Sequence, residues 1–497
     1  MTSASSRSSD SRLTRLDWII LALAVLIGAG IYLITSALTY KIGFPLDDSW
    51  IHQTYARNLA EYGQWAYRLG VPSAGSTAPL WSALLAIGFW LHLAPYTWAY
   101  LLGGLTLWML AAVGEITARR LLSAYRPRLP WVGLLLAFEW HLLWAAMSGM
   151  ETLLHALILT VVLAALMMNS RRYLTLGLLT GLSVWVRPDG LTLLGPVLLT
   201  IVLTEKDNPA RFHAAVKYLI GFGVLFVFYL LFNLMIGGTP MPNTFYAKQA
   251  EYASWQSLPI LQRLGQLFLQ LMVGPAIILL PGAIGWLVTS IRQRVWGALS
   301  GMIWFVGYLW LYVSRLPLYQ HGRYIMPAMP IFFLWGILAL VNFVGSKQFG
   351  RYHWFAQTLW QVSAAAVYLL FIVLGARSYG QDVAVIESEM VVTAKWAAVN
   401  IPPGAVIAAH DIGALGYFDN HPLIDLAGLI SPEVIPFIRD EARLAIYLNG
   451  RHANYLIAFP DFYPKLVQQA RPVFNSGGIF APKFGSQNMV IYLWKQP

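Results

Sequence analysis

The chain has 497 residues, of which 58% are hydrophobic and 11% charged, with a mean hydropathy of +0.59. A soluble domain carries about 25% charged residues, so this composition excludes a soluble globular enzyme and a disordered chain and leaves a polytopic membrane protein. The net charge of +11 comes without a long basic run, which argues against a nucleic-acid partner, and the lack of cysteine removes disulfides, cysteine zinc sites, iron–sulfur clusters and cysteine nucleophiles. The aromatic share of 14%, with 21 Trp, suits membrane interfaces and sugar-stacking surfaces alike.

The N-terminus is rich in Ser and Arg (Arg7, Arg12, Arg15) and turns apolar from Trp18 to Leu38. That stretch is too long for a signal-peptide core and has no small-residue cleavage site before Tyr40, so it reads as an uncleaved first span with a cytoplasmic basic flank. An outer loop follows over 40–95. Its apolar piece, 79–94, is too short for a hydrocarbon core roughly 30 Å thick and reads as an interfacial or re-entrant helix. Further spans are expected near 96–118, 130–147, 151–169, 173–187, 189–204, 214–236, 265–290, 296–314, 324–344 and 355–376.

Eleven spans put the C-terminus on the outer face. The charges agree. Arg7, Arg12, Arg15, Arg119, Arg120, Arg126, Arg128, Arg171, Arg172, Lys206, Arg211, Lys217, Arg292, Arg294, Lys347 and Arg351 all fall at the inner side, as the retention of positive loops requires. With the five inner acids (Asp10, Asp17, Glu115, Glu205, Asp207) they account for the whole net charge, and the rest of the chain is neutral.

The tail, from 378, regains Asp, Glu, Asn and Pro. Short apolar runs at Ala405–Ala409, Tyr455–Phe459 and Met489–Leu493 read as strands, and 387–399 and 433–447 as helices. The expected fold is an α-helical polytopic membrane protein of about eleven spans, residues 1–377, with a small extracytoplasmic α/β domain over 378–497.

The chemistry-bearing residues lie at the outer ends of the spans. Asp47 and Asp48 open the first loop. Either could cap a helix from about Ser49 to Tyr62, ended by Gly63, with Ile51, Tyr55 and Leu59 as its buried stripe. One Asp suffices for a cap; the second could be a general base, or a metal or hydroxyl ligand. Gly75 to Trp81 is a small-residue turn with Pro79 starting a helix, or a place where backbone amides approach a phosphate. Glu151 begins a helix after Ser148-Gly149-Met150. Arg187 and Asp189 could pair within their turn or bind a ligand. With Lys248 of a Pro-stiffened loop and Arg323 of His321-Gly322-Arg323-Tyr324, Arg187 makes three outer cations that suit an anionic lipid phosphate in an apolar groove. Glu139, expected mid-helix beside His141, is an intramembrane acid. It is either neutral and hydrogen-bonded or a transport site.

The segments LDDSWIHQTYARNLAEYGQW, GSTAPLW, SGMET, RPDG, PNTFYAK and HGRY occur in this order, followed by HDIGALGYFDNHPLIDLAGLISPEV in the tail. In this the chain resembles the GT-C integral-membrane glycosyltransferases, and is most similar to the bacterial branch that contains the mycobacterial terminal arabinofuranosyltransferases. The resemblance spans nearly the whole chain. It implies a bacterial inner-membrane enzyme that transfers a sugar, with inversion, from a polyprenyl-phosphate donor to an extracytoplasmic acceptor. It implies a base at Asp47 or Asp48 and donor-phosphate contacts from Arg187, Lys248, Arg323 and His321. It also implies site-lining or acceptor-seating residues at His52, Arg57, Glu151, Asp411 and Asp425. Some members need a divalent metal and others do not, so no metal is carried over. The lack of a Walker loop or Rossmann glycine fingerprint fits a donor that is not a nucleotide sugar. The alternatives are a transporter or flippase centred on Glu139, and a non-enzymatic protein with an outer binding domain, for which the acidic pair is only a cap.

Overall fold

The computed structural model describes residues 12–123, 125, 127–344 and 353–494. Arg7, Asp10, Arg126, Lys347 and Arg351, which entered the charge balance, lie outside the described residues.

The membrane part begins with α1 (Arg15–Thr39), started by a reciprocal cap between Thr14 and Asp17. Then come α2 (Asp48–Tyr62), a β1–β2 hairpin (Ala66–Arg68, Val71–Pro72), α3 (Pro79–Trp90) and α4 (Pro95–Leu121). As expected, α2 ends at Gly63 in the left-handed conformation and α3 starts on Pro79. At 12 residues α3 is about 18 Å long, too short to span.

The expected span over 130–147 is two helices, α5 (Trp131–Ala137) and α6 (Trp140–Ala146). Glu139 is therefore not mid-helix. It is the N-cap of α6, where its carboxylate accepts the Leu142 N–H (3.0 Å) and lies 2.9 Å from His141 Nδ1. A capped break needs an acceptor for orphaned N–H groups, which accounts for an acid at this depth without solute transport.

α7 (Thr152–Met167), α8 (Tyr173–Val186), a 3₁₀ turn (Pro188–Leu193) leading into α9 (Leu194–Thr204), and α10 (Asn208–Gly237) follow. α11 (Asn243–Glu251) packs under the tail. The expected span over 265–290 is also divided. α12 (Ile260–Met272) and α13 (Ala276–Gln293) meet at Val273-Gly274-Pro275, where Gly274 is left-handed and Pro275 cannot continue a helix. α14 (Trp296–Arg315), α15 (Met329–Val344) and α16 (His353–Ile386) complete the bundle. Among the described residues, seven helical stretches are long and apolar enough to cross a membrane by themselves; α3, α7, α8 and Pro188–Thr204 are apolar but shorter. Large apolar side chains such as Leu38, Phe228, Met235 and Leu369 stay exposed on the outside of the bundle, the arrangement lipid solvation selects.

At one end of the bundle Arg119 joins the acids Asp17 and Glu115, each at 2.9 Å. The opposite end carries the tail. No loop separates them: α16 passes through a π-helical turn (Glu387–Val391) into α17 (Val392–Asn400). The tail holds a five-stranded sheet of order β4-β3-β5-β7-β6, built from β3 (Ile407–Ala409), β4 (Leu423–Asp425), β5 (Tyr455–Ala458), β6 (Arg471–Asn475) and β7 (Val490–Leu493). β3 runs parallel to β4 and β5, and β7 antiparallel to β5 and β6. The three expected strands are β3, β5 and β7. A short helix, α18 (Gly413–Phe418), lies between β3 and β4. The expected helix over 433–447 is instead a 3₁₀ turn (Pro432–Phe437) and α19 (Glu441–Gly450), because Pro436 interrupts it and Asp440 caps a fresh start.

Candidate functional site

The site forms where the start of α2, α11, the turn before α15 and the tail converge. Asp47 stands at the N-cap of α2, where its carbonyl accepts the Trp50 N–H (2.9 Å), but its side chain makes no bond to that helix. Its carboxylate crosses to the tail and accepts the N–H groups of Gly413 (2.7 Å) and Ala414 (2.8 Å), so it serves the first turn of α18. The capping expectation thus holds for a different helix. Gly413 permits this approach: a Cβ there would lie 2.0 Å from the Asp47 carbonyl oxygen. Burial pushes the Asp47 carboxyl up to about 7, reinforced by nearby Asp411 and opposed by the two N–H bonds.

Asp48 points the other way. It is partly exposed, and its Oδ2 lies 2.9 Å from Arg323 Nη2. Burial raises its pKa, but the charges of Arg323 and Lys248 outweigh that and hold the carboxyl below its ordinary value. It is the ionised member of the pair.

Arg323 follows three successive left-handed residues, Gln320, His321 and Gly322, with φ of 51°, 59° and 71°. Its Nη2 also donates to the Tyr324 hydroxyl (3.1 Å), while Nε and Nη1 are buried with no partner. The three expected phosphate-binding cations come together around Tyr324. Arg323, Lys248 and Arg187 lie 4.9, 5.2 and 5.9 Å from its ring centroid. Lys248, Arg187 and Tyr324 border a cleft of about 270 Å³ with otherwise mainly apolar walls, among them Met241, Leu311 and Leu316. Of the small-residue turn 75–81, only Thr77 reaches the cleft.

Behind the cleft, Arg187 is held by Glu151 (2.8 Å) and by Asp189 (3.1 Å), so it both pairs in its turn and faces the cleft. Asp189 Oδ2 accepts the hydroxyls of Tyr308 and Tyr312, each at 2.6 Å. Glu151 and His52, expected to line the site, are buried at its back. His52 Nε2 is 3.3 Å from Glu151, and its Nδ1 is 2.9 Å from Ser82 Oγ.

Three further expected residues lie elsewhere. Arg57 donates to the carbonyls of Tyr417 (2.7 Å) and Gly416 (3.3 Å) and ties α2 to α18. Asp425 is fully buried and accepts the N–H groups of Ala427, Leu429 and Ile430, which shapes its own loop; burial pushes it up to about 6. It is not presented to an acceptor. His321 is turned toward α16, its Nε2 2.8 Å from Asp382, and is not among the cations around Tyr324. Asp411 stays with the acidic pair, raised by burial and by the charges of Asp48 and Glu251 against that of His410. Reading the sequence missed Tyr324, although it lies in a segment singled out, and Asp382, a lone acid in an apolar helix with nothing around it to signal a role.

The acidic pair does not converge as a ligand set: Asp47 spends both oxygens on N–H donors and Asp48 faces an arginine. Among the described residues no group of three or more His, Asp or Glu side chains is arranged to hold a metal ion.

The same architecture recurs in solved structures. ArnT from Cupriavidus metallidurans bound to undecaprenyl phosphate matches 97% of this chain over 99% of its own, with a TM-score of 0.57 and 16% identity. The oligosaccharyltransferase AglB from Archaeoglobus fulgidus, in complex with an inhibitory peptide and a dolichol-phosphate, matches 90% of this chain over 70% of its own, with a TM-score of 0.61 and 10% identity. The chain has the GT-C fold. A mycobacterial arabinofuranosyltransferase, AftD, is also similar, at a TM-score of 0.47 and 14% identity over 98% of this chain and 40% of its own, too distant to build on. Residues 379–492 match a domain of unknown function (DUF8728), which lies within the tail of this GT-C fold. No curated protein matches the chain by sequence.

Proposed function

We infer that the chain is an inverting glycosyltransferase that takes a sugar from a polyprenyl-phosphate donor and transfers it to an acceptor hydroxyl outside the cytoplasm. The observation that carries this is the ionised Asp48 on Arg323, which gathers with Lys248 and Arg187 around Tyr324, while Lys248, Arg187 and Tyr324 border a mainly apolar cleft. The apolar walls suit an isoprenoid, and the cations suit its phosphate. On this reading Arg12, Arg119, Arg171 and their neighbours mark the cytoplasmic end, and residues 378–497 form an outer domain in a bacterial inner membrane.

In the reaction, the acceptor oxygen attacks the anomeric carbon, the carbon–oxygen bond to phosphate breaks, and the hydroxyl proton passes to a carboxylate. Reach decides between the two aspartates before acidity does. Asp47 is buried with both oxygens occupied; Asp48 is accessible, so Asp48 is the base. Arg323 holds Asp48 through Nη2 and has no partner for Nε and Nη1, which are buried, so the donor phosphate engages them as the side chains that cover them shift. Engaging the phosphate draws its charge away from Asp48, which raises the basicity of that carboxylate as the donor binds. Lys248 and Arg323 then stabilise the departing phosphate.

The test is Asp48→Asn in the purified, reconstituted protein. Transfer from a polyprenyl-phosphate sugar falls by at least about 10²-fold with thermal stability retained. Full activity in this variant overturns the assignment.

A further inference from the structure

His321 was expected at the phosphate, yet its ring is committed in the opposite direction. Its Nε2 sits 2.8 Å from Asp382 Oδ2 and 3.4 Å from Ser378 Oγ. Its ring meets Trp140 and Trp144 edge-on, with centroids 5.5 and 5.4 Å away. Trp144 Nε1 donates to the same Asp382 oxygen at 2.9 Å. α6, α16 and the turn before α15 are thus joined at one carboxylate.

The turn itself needs such a hold. Gly322 adopts a left-handed φ freely, but Gln320 and His321 do not. Residues in disfavoured backbone regions persist only when their surroundings over-determine them, and such places cluster at ligand clamps. Besides its own short-range bonds, such as Gly322 N–H to Tyr319 O (3.1 Å), this turn is anchored to the bundle through the His321 ring. Two residues later the chain delivers Arg323, with one nitrogen on Asp48 and two buried donors unspent.

We propose that His321 and Asp382 are positioning residues: they lock the left-handed turn at 320–322 and so aim the Arg323 guanidinium at the donor phosphate. The proposal rests on the reading of Arg323 as a phosphate ligand. His321 makes no phosphate contact of its own. A misplacement of about 1 Å in a catalytic group can cost 10²-fold in rate, so the lock matters to turnover as well as to binding.

The experiment is equilibrium binding of radiolabelled undecaprenyl phosphate to the full-length protein in detergent, as a double-mutant cycle. His321→Ala and Asp382→Ala each weaken binding about tenfold when Arg323 is present. In an Arg323→Ala background each adds less than a further twofold. His321→Gln, whose side-chain amide nitrogen reaches about as far as the imidazole Nε2 and keeps an N–H for Asp382, recovers most of the affinity and shows that the loss is not a failure to fold.

Two results overturn the proposal. If His321→Ala weakens binding equally with and without Arg323, His321 is a direct ligand. If neither single variant weakens binding, the lock has no role. Arg323→Ala alone reports on the underlying reading: parental affinity in that variant removes the phosphate assignment and the lock with it. Weakened binding there, with His321→Ala unaffected, removes only the lock.

Discussion

Asp47→Asn separates the two adjacent carboxylates by measurement. Asp47 has a folded pKa of about 7 against an ordinary value of 3.8. The folded state therefore binds more protons than the unfolded state between those values, and stability falls as pH rises from about 4 to 7. Each unit is worth about 1.4 kcal/mol, so the limit is about 4 kcal/mol. Asn cannot titrate. Its one oxygen keeps a single N–H bond, and its amide nitrogen meets the other N–H, a loss of about 1–3 kcal/mol. Below pH 4, where Asp47 is protonated, the parent is the more stable or equal. Near pH 8 the relieved charge burial, up to about 4 kcal/mol, exceeds the lost bond, so the two stabilities cross and the variant becomes the more stable. Asp411 and Asp425 are also raised, and His410 is held protonated by Tyr463 and Glu251 despite its burial. All three shift stability in the same direction, so the parent-minus-variant difference is the quantity to read. The assay is thermal unfolding of the detergent-solubilised protein from pH 4 to 8. A difference that does not change with pH refutes the burial of an Asp47 charge in the clamp.

Arg323→Lys keeps the charge but loses the fork, so undecaprenyl phosphate affinity drops about tenfold in a competition assay. Arg187→Gln leaves Glu151 and Asp189 buried without their cation; unfolding midpoints report a loss of about 3–5 kcal/mol, which Glu151→Gln in the same chain partly restores. Gly413→Ala drives a methyl into the Asp47 backbone and costs about 1–3 kcal/mol, seen as faster proteolytic release of the tail.

The helices were legible because burial in lipid leaves long apolar runs, separated by loops that carry the basic residues. Both divided spans escaped notice for one reason. Neither Glu139 nor Val273-Gly274-Pro275 interrupts hydropathy enough to show a break, and only the backbone geometry reveals that Glu139 caps a helix. At the site, the cations around Tyr324 were legible as a group because each sits at a span end of the same face. His52, Glu151, Arg57, Asp425 and His321 were singled out with them, but Glu151, Arg57 and His321 find their partners far off in sequence, at Arg187, Gly416 and Asp382, and Asp425 turns inward on its own loop. Sequence spacing cannot show which side of a residue faces solvent. The same limit hid the difference between Asp47 and Asp48, since neighbours at a helix start diverge and one buried contact decides which is free.

That divergence explains why the chain uses a pair. A single carboxylate cannot both lie buried against the N–H groups of α18 and stay open to a substrate: its remaining lone pairs are there, but the packing that seats it shields them. With two, Asp47 seats the tail while Asp48, one residue on, takes its place beside Arg323. Arg57 repeats the attachment three turns along α2, on the carbonyls at the other end of α18. α2 is thus held to the tail at both ends of one short helix, and its first turn cannot shift without moving Asp48. A displacement of the tail reaches Asp48 through this rod, so on the proposed reading of Asp48 as the base the tail acts on the site by fixing where that carboxylate stands.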